Sequence, residues 1–422
     1  MKRILTIALL LLAFAIAPAT AQVVTIDECQ QWAVAQSSSN LQKELNEQLL
    51  QVKLNDVSSH YYPTLQIDGA IGYMSPITQL PEEIAADYGI AAPRHDLYNV
   101  SLNMQQVIFD GLQASYGRKR EKLLNNNEIS KLDLSIAQLK EQIINMYLNL
   151  LIIDKQIEIL SNVEKIFQEQ SDQLKVLLKA GVVYANSIAQ LDVEGLKIQQ
   201  QKDEMLANRE SLISSLSILT GKDLSNAEFV QPELPNVSYD LGSSRLEFSI
   251  FENTINSLEY QRKLHISKSL PKLAFMAIGG YGRPNYNLLS NKADWFYVVG
   301  LKFNVPLIDW AKTKGVSDII VLQKSILESQ QADFTKGNQI AIQEKINEIK
   351  RIEHLLILDA EITQKYQEIR ETANTQLLNG TITAMDYIKL QNDETLSITA
   401  REVHTIQLLK AKYELMALKG QL

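Results

Sequence analysis

Cysteine, closely spaced histidines and basic blocks are scarce in this sequence, and each shortage argues against a class of function. Of the 422 residues only Cys29 is a cysteine, which excludes an intrachain disulfide and a cysteine-rich metal site. The 5 histidines are never three or four residues apart, so the common helical metal-binding motifs are absent. The formal net charge is -8 without a basic block, which disfavours nucleic-acid binding.

Catalytic motifs are missing as well. The sequence contains no Gly-x-Ser-x-Gly elbow and no phosphate-binding loop. Carboxylates such as Glu141 and Asp154 fall where the pattern indicates solvated helix faces. We therefore expect a protein that is not an enzyme and that needs no cofactor or metal. Because 45% of the residues are apolar, wholesale disorder is excluded.

Proline and glycine are absent from long stretches, which predicts long helices. None of the 10 prolines lies in 94–231 or after Pro306, and residues 118–180 contain neither proline nor glycine. Apolar residues recur there at alternating spacings of four and three, a heptad pattern. We predict a helix from about residue 112 to 178, about 100 Å long at ~1.5 Å per residue. A generic coiled coil is the alternative interpretation. The heptad positions are Leu132, Ile136, Leu139, Ile143, Met146, Leu150, Ile153, Ile157 and Leu160.

The two regions rich in proline carry a different periodicity. Residues 65–108 and 273–307 each contain two runs in which apolar residues alternate with polar or small ones, which predicts a β-hairpin in each region. Runs of roughly ten residues match a tilted membrane-spanning strand, although an ordinary hairpin on a soluble core is the alternative. In the membrane interpretation one side of the last strand faces lipid. That side carries Tyr297, Val299, Leu301 and Phe303.

The chain is an internal duplication. Val100–Asp110 aligns with Val299–Asp309 at an offset of 199, and the same offset places Gly181 on Gly380. The predicted first repeat is 22–223 with a turn at about 179–186, and the second is 247–422 with a turn at about 379–385. Residues 224–246 form the linker. One chain offers four strands, too few to close a barrel in a membrane, so several copies must share one. Three copies would supply twelve strands.

The N-terminus has the pattern of an export signal. Lys2 and Arg3 precede an apolar segment, and Ala19-Thr20-Ala21 supplies a small-x-small cleavage site. We predict that residues 1–21 are removed as a signal peptide, with a short membrane anchor as the alternative. The residue directly after the cleavage site is Gln22 and not a cysteine, so we expect no N-terminal lipid anchor.

Several short motifs recur at matching places in the two halves. They are Tyr62-Pro63 and Leu270-Pro271 before the first strand of each half, Phe109-Asp110-Gly111 and Ile308-Asp309-Trp310 after the second, and the turns Leu178–Ser187 and Leu378–Asp386. In these motifs and in its repeats, over essentially the whole mature chain, the sequence resembles the TolC-like outer-membrane channels of Gram-negative efflux and type I secretion systems.

The resemblance implies a fold and a function. The implied fold is mostly α with a small β part: a homotrimer in which long antiparallel coiled-coil helices form a periplasmic α-barrel and four strands per chain form a shared 12-stranded barrel in the outer membrane. The implied role is passive export of substrates delivered by an inner-membrane pump through a periplasmic adaptor. The alternative is a soluble periplasmic coiled-coil scaffold or adaptor.

The resemblance also assigns roles to residues at the two turns. The helical turns meet the adaptor in this family, which assigns docking to Gly181, Val182 and Val183 and to Gly380, Thr381 and Ile382. Aspartates after the second turn narrow the family's entrance. One of those positions is Asp386, whereas the other is Lys389, a departure that puts an acidic entrance in doubt.

Overall fold

The structure is a computed structural model that describes residues 23–75, 81–89, 94–179, 184–283, 292–306 and 310–422. These residues fall into two compact units. The helical unit takes its residues from Met1–Leu41, Leu132–Leu246 and Phe334–Leu422, and the sheet unit from Gln42–Lys131 and Glu247–Asp333. Each unit therefore combines segments from both sequence repeats.

Four long helices dominate the chain: α4 at Gln113–Lys179, α5 at Ala185–Thr220, α7 at Trp310–Leu378 and α8 at Ala384–Lys419. The predicted helix over about 112–178 is confirmed, because α4 runs for 67 residues. The lack of helix breakers in 118–180 accounts for this length. Both return helices end at a left-handed glycine, Gly221 at φ 66° and Gly420 at φ 73°, where a residue with a Cβ would be strained.

Shorter elements connect the long helices. They are β1 at Val23–Val24, α1 at Ile26–Gln36, α2 at Ser39–Ser59, β2 at Thr64–Tyr73, α3 at Glu82–Asp87, β3 at Asp96–Phe109, β4 at Glu228–Phe229, α6 at Leu246–Ile266, β5 at Lys272–Arg283 and β6 at Asp294–Asn304. The order helix, strand, strand, long helix, return helix occurs twice. It is α2, β2, β3, α4, α5 in the first half and α6, β5, β6, α7, α8 in the second.

The sheet unit contains one four-stranded antiparallel sheet in the order β2-β3-β5-β6. The two hairpins join through their inner strands β3 and β5, which leaves β2 and β6 as the edges. The register is continuous except for a bulge between Val107 and Phe109. One row across the sheet is Leu65, Met104, Ala277 and Val299, and the adjacent row on the other face is Gln66, Asn103, Ile278 and Val298.

In the core of the helical unit, hydrogen bonds of Tyr147 connect the N-terminal segment and the linker to α4. Tyr147, fully buried on α4, places its Oη 2.8 Å from the carbonyl oxygen of Val24 and 2.7 Å from that of Val230. The same oxygen accepts a hydrogen bond from the backbone N–H of Val230 at 3.0 Å. Burial raises the pKa of this phenol above its ordinary value.

Within the described ranges, no helix combines the length and the apolar character that crossing a membrane requires.

Candidate functional site

The second helical turn joins α7 to α8 through a glycine. Gly380 has φ 70°, and its N–H donates to the carbonyl of Leu377 at 3.0 Å. The N–H of Thr381 donates to the carbonyl of Gln376 at 2.9 Å. This pair of bonds is a Schellman motif, which satisfies the last carbonyls of α7 and reverses the chain. Gly380 is thus required by the geometry of the turn.

A reciprocal cap starts α8 immediately after the turn. The backbone N–H of Asp386 donates to Oγ1 of Thr383 at 3.2 Å, while the N–H and hydroxyl of Thr383 donate to Oδ2 of Asp386 at 3.1 and 2.7 Å. Hydrogen bonds from the hydroxyl and then the backbone of Thr383 hold the pKa of the Asp386 carboxyl below its ordinary value, and Lys389 acts in the same direction. The carboxylate predicted to line an entrance is therefore engaged in capping its own helix.

Replacing Thr383 with alanine should loosen the first turn of α8. The substitution removes one acceptor and one donor of the cap, which ordinarily costs about 1 kcal/mol. We expect faster amide hydrogen exchange at residues 384–388. Thr399→Ala is the matched control, because its Oγ1 bonds only to the carbonyl of Thr395 within the helix. Equal exchange in the two variants would refute the capping role.

The turn residues differ in exposure. Ile382 is half-buried and packs against a cluster that includes Phe167, Leu174, Leu377 and Tyr387. The apolar side chain of Ile382 therefore has packing partners within its own chain. Gly380 and Thr381 are exposed, whereas Gly181, Val182 and Val183 lie outside the described residues. Beside the two turns, exposed apolar side chains include Tyr184 at 84% and Met385 at 52%, and also Val176 and Leu178 at the end of α4.

A buried charged group between α7 and α8 was not found by sequence reasoning. Glu394 is 5% exposed, its Oε2 lies 2.7 Å from Nε of Arg370, and it accepts a hydrogen bond from Nε2 of Gln391 at 3.2 Å. A buried carboxylate needs such partners because its desolvation is costly. The pair holds the two helices together near the turn, and no local pattern distinguishes Glu394 from a solvated glutamate.

The sheet has one apolar face, and the opposite face is polar along β2 and β3 but carries Met276, Ile278, Phe296 and Val298 along β5 and β6. The alternation places Tyr297, Val299, Leu301 and Phe303 on the same side of β6, as predicted for the proposed lipid contact, and they are 61% to 83% exposed. The apolar face continues across the other three strands through Tyr281, Ala277, Phe275, Met104, Leu102, Val100, Ile71, Ile67 and Leu65. On the other face Nδ2 of Asn103 donates to Oδ2 of Asp68 at 2.5 Å.

Aromatic residues mark one end of the apolar face. Tyr73, Tyr98, Tyr281 and Trp295 all lie at the hairpin end of their strands, and Tyr281 pairs with Trp295 across β5 and β6. The ring centroids of Tyr281 and Trp295 are 5.4 Å apart. Aromatic side chains at a strand end are typical of the boundary between lipid and water.

Comparison with solved structures identifies the fold. The chain superposes on the outer membrane protein VceC of Vibrio cholerae with a TM-score of 0.71 and 12% identity, over 93% of this chain and 96% of that one. The CmeC outer membrane channel of Campylobacter jejuni gives a TM-score of 0.70 and 14% identity, over 94% of this chain and 85% of that one. This chain has the fold of the outer-membrane channels.

Further comparisons agree on the fold. The open state of the MtrE outer membrane channel of Neisseria gonorrhoeae matches with a TM-score of 0.68 and 12% identity, over 94% of this chain and 89% of that one. No protein-family model and no curated protein sequence matches the chain. The predicted fold class, mostly helical with a small antiparallel part, is confirmed. The trimer, the shared barrel and the roles of the turn residues stay predictions.

Proposed function

We propose that this protein is the outer-membrane exit duct of a tripartite efflux pump or type I secretion system. It conducts substrates passively after an inner-membrane transporter has delivered them through a periplasmic adaptor. The observation that carries the proposal is the continuous, exposed apolar face of the sheet, and the shared fold with outer-membrane channels supports it.

The apolar face has the chemistry of a lipid contact. All four strands contribute to it, whereas the opposite face carries Gln66, Asp68, Asn99, Ser101 and Asn103 along β2 and β3. A sheet that is apolar outside and polar inside is the pattern of a barrel with a water-filled lumen. A soluble scaffold would need another apolar surface to cover this face, because large exposed apolar patches are rare on soluble proteins.

The edges of the sheet favour a closed ring of copies. With all neighbours antiparallel, β2 and β6 point in opposite directions, so β6 of one copy can pair antiparallel with β2 of the next. In lipid an unpaired edge would leave backbone groups without partners, which closure prevents. Three copies give the 12-stranded barrel of the proposed homotrimer.

The two helical turns are the proposed adaptor contact. In the second turn the exposed Thr381 and Met385 flank the half-buried Ile382, so a partner would meet a mixed surface on a rigid, capped hairpin. At the first turn the proposed contact comprises Gly181, Val182 and Val183. Asp386 and Lys389, both exposed on the first turns of α8, are the proposed entrance residues, of opposite charge.

Cell fractionation separates the proposed duct from a periplasmic scaffold. We expect the exported protein in the outer-membrane fraction, resistant to extraction with alkaline carbonate, because the apolar face lies in lipid. Removal of residues 1–21 should accompany export. Release of the intact, folded protein into the soluble fraction by osmotic shock would contradict the proposal and favour the scaffold.

A further inference from the structure

The face of the sheet that is proposed to line the lumen differs between the two hairpins. Along β2 and β3 it is mainly polar. Along β5 and β6 it carries an apolar strip, which consists of Met276, Ile278, Phe296 and Val298. These four side chains are half-buried, whereas the neighbouring Val299 on the other face is 61% exposed. Each chain therefore supplies one apolar strip to a wall that its first hairpin makes polar.

The apolar strip leads to two lysines at the helix end of the strands. Lys272 on β5 and Lys302 on β6 lie on the face of the strip, in consecutive rows of that face. Lys302 is four residues from Val298, which is about 13 Å at ~3.3 Å per residue. Between these two residues lies Gly300, where a Cβ would meet no atom within 4 Å. The wall is thus open between the apolar strip and the ammonium groups.

The charge of the two lysines is not compensated on this face. Neither lysine has an ion-pair partner among the described residues. Within the described strands, the acidic side chains on the same face are Asp68 and Asp294, both toward the hairpin ends. The row of Asp68 crosses β6 at Phe296, six residues from Lys302, which is about 20 Å. Physiological salt screens exposed charges over ~8 Å, so the carboxylates leave the lysines effectively unpaired.

We propose that the second hairpin binds organic anions that have an apolar body. Lys272 and Lys302 would hold the carboxylate, sulfate or phosphate group, and the apolar strip would contact the body. The proposal rests on the duct proposed above, because it takes this face as the lumen wall, and it assigns the duct a substrate class. In a ring of copies the lysines form a cationic ring, and such rings favour anions in pores. The low-dielectric wall around the lumen strengthens the field of that ring.

Binding of pyranine, an aromatic sulfonate, to the purified oligomer tests this site. Its fluorescence anisotropy, measured at low salt in nonionic detergent, should show saturable binding. Lys272→Gln/Lys302→Gln should raise the Kd at least tenfold, whereas Lys272→Arg/Lys302→Arg keeps both charges and should leave the Kd within about twofold. Lys302→Gln alone, at an exposed position, should give an intermediate Kd. Lys292→Gln is the matched control, because this exposed lysine precedes β6 at the hairpin end, and the Kd should not change.

A substitution in the apolar strip distinguishes a site for organic anions from simple charge attraction. Ile278→Asn keeps both lysines and should raise the Kd for pyranine at least threefold. All variants are compared at equal trimer concentration. A trimer without saturable binding, an unchanged Kd in Lys272→Gln/Lys302→Gln or in Ile278→Asn, or an equal loss in Lys292→Gln would overturn the inference and leave the duct standing. A native mass of one protomer for the unmodified protein would overturn both.

Discussion

Replacing Val299 with arginine should abolish assembly of the outer-membrane oligomer. Val299 lies at the centre of β6, in a row with Leu65, Met104 and Ala277 on the apolar face. An arginine near the midplane of a bilayer costs about 2–4 kcal/mol on a lipid-facing strand, and the cost recurs in every copy of the ring. The measurement is the amount of trimer extracted from the outer membrane, compared with the total amount exported.

The neighbouring valine provides a matched control. Val298 carries the same side chain one residue earlier but lies on the opposite face, in a row with Gln66, Asn103 and Ile278. Val298→Arg places the charge in the proposed aqueous lumen, so the trimer yield should remain near that of the unmodified protein. Equal yields from the two variants would mean that this strand does not contact lipid. A loss confined to Val298→Arg would mean that its faces are reversed.

Charges at the helical turns should block export without disturbing assembly. Tyr184 and Met385 are exposed apolar side chains that come just after the first and second turns. In the double variant Tyr184→Asp/Met385→Asp, docking of an adaptor would bury unpaired carboxylates, a penalty of several kcal/mol over the copies. We expect loss of export with a normal amount of trimer, measured by efflux from cells and by membrane extraction.

Two further variants, one conservative and one at a buried position, distinguish a loss of adaptor docking from a loss of folding. Tyr184→Phe/Met385→Leu keeps the apolar surface and should retain export. Ile382→Asp should instead lower the trimer amount, because Ile382 packs against a buried apolar cluster of the helical unit. Full export by Tyr184→Asp/Met385→Asp would refute docking at these two residues, although the duct itself could stand.

The long helices and the strands could be predicted because their signals are local. The absence of proline and glycine over 118–180 is sufficient to predict α4, and period-two alternation is sufficient to predict the two faces of β6. The turn at Gly380 could be predicted because glycine tolerates a φ of 70°. Each of these features depends on neighbours within a few positions in the chain.

The features that could not be predicted depend on contacts between distant segments. Ile382 looks like an exposed turn residue in the sequence, yet it packs against a buried cluster that includes Phe167 and Leu174 from the other repeat. The pairing of β3 with β5, and hence the identity of the edge strands, also joins the two repeats. The burial of Glu394 against Arg370 likewise requires the packing of α7 on α8.

The copy number and strand count of the purified oligomer test the central claim most directly. Cryo-electron microscopy of the detergent-extracted protein should show three copies around one axis, with four strands from each in a closed barrel of twelve and the row of Val299 facing the detergent. A folded, monodisperse particle of one copy, or an oligomer in which the β2 and β6 edges stay unpaired, would contradict the account.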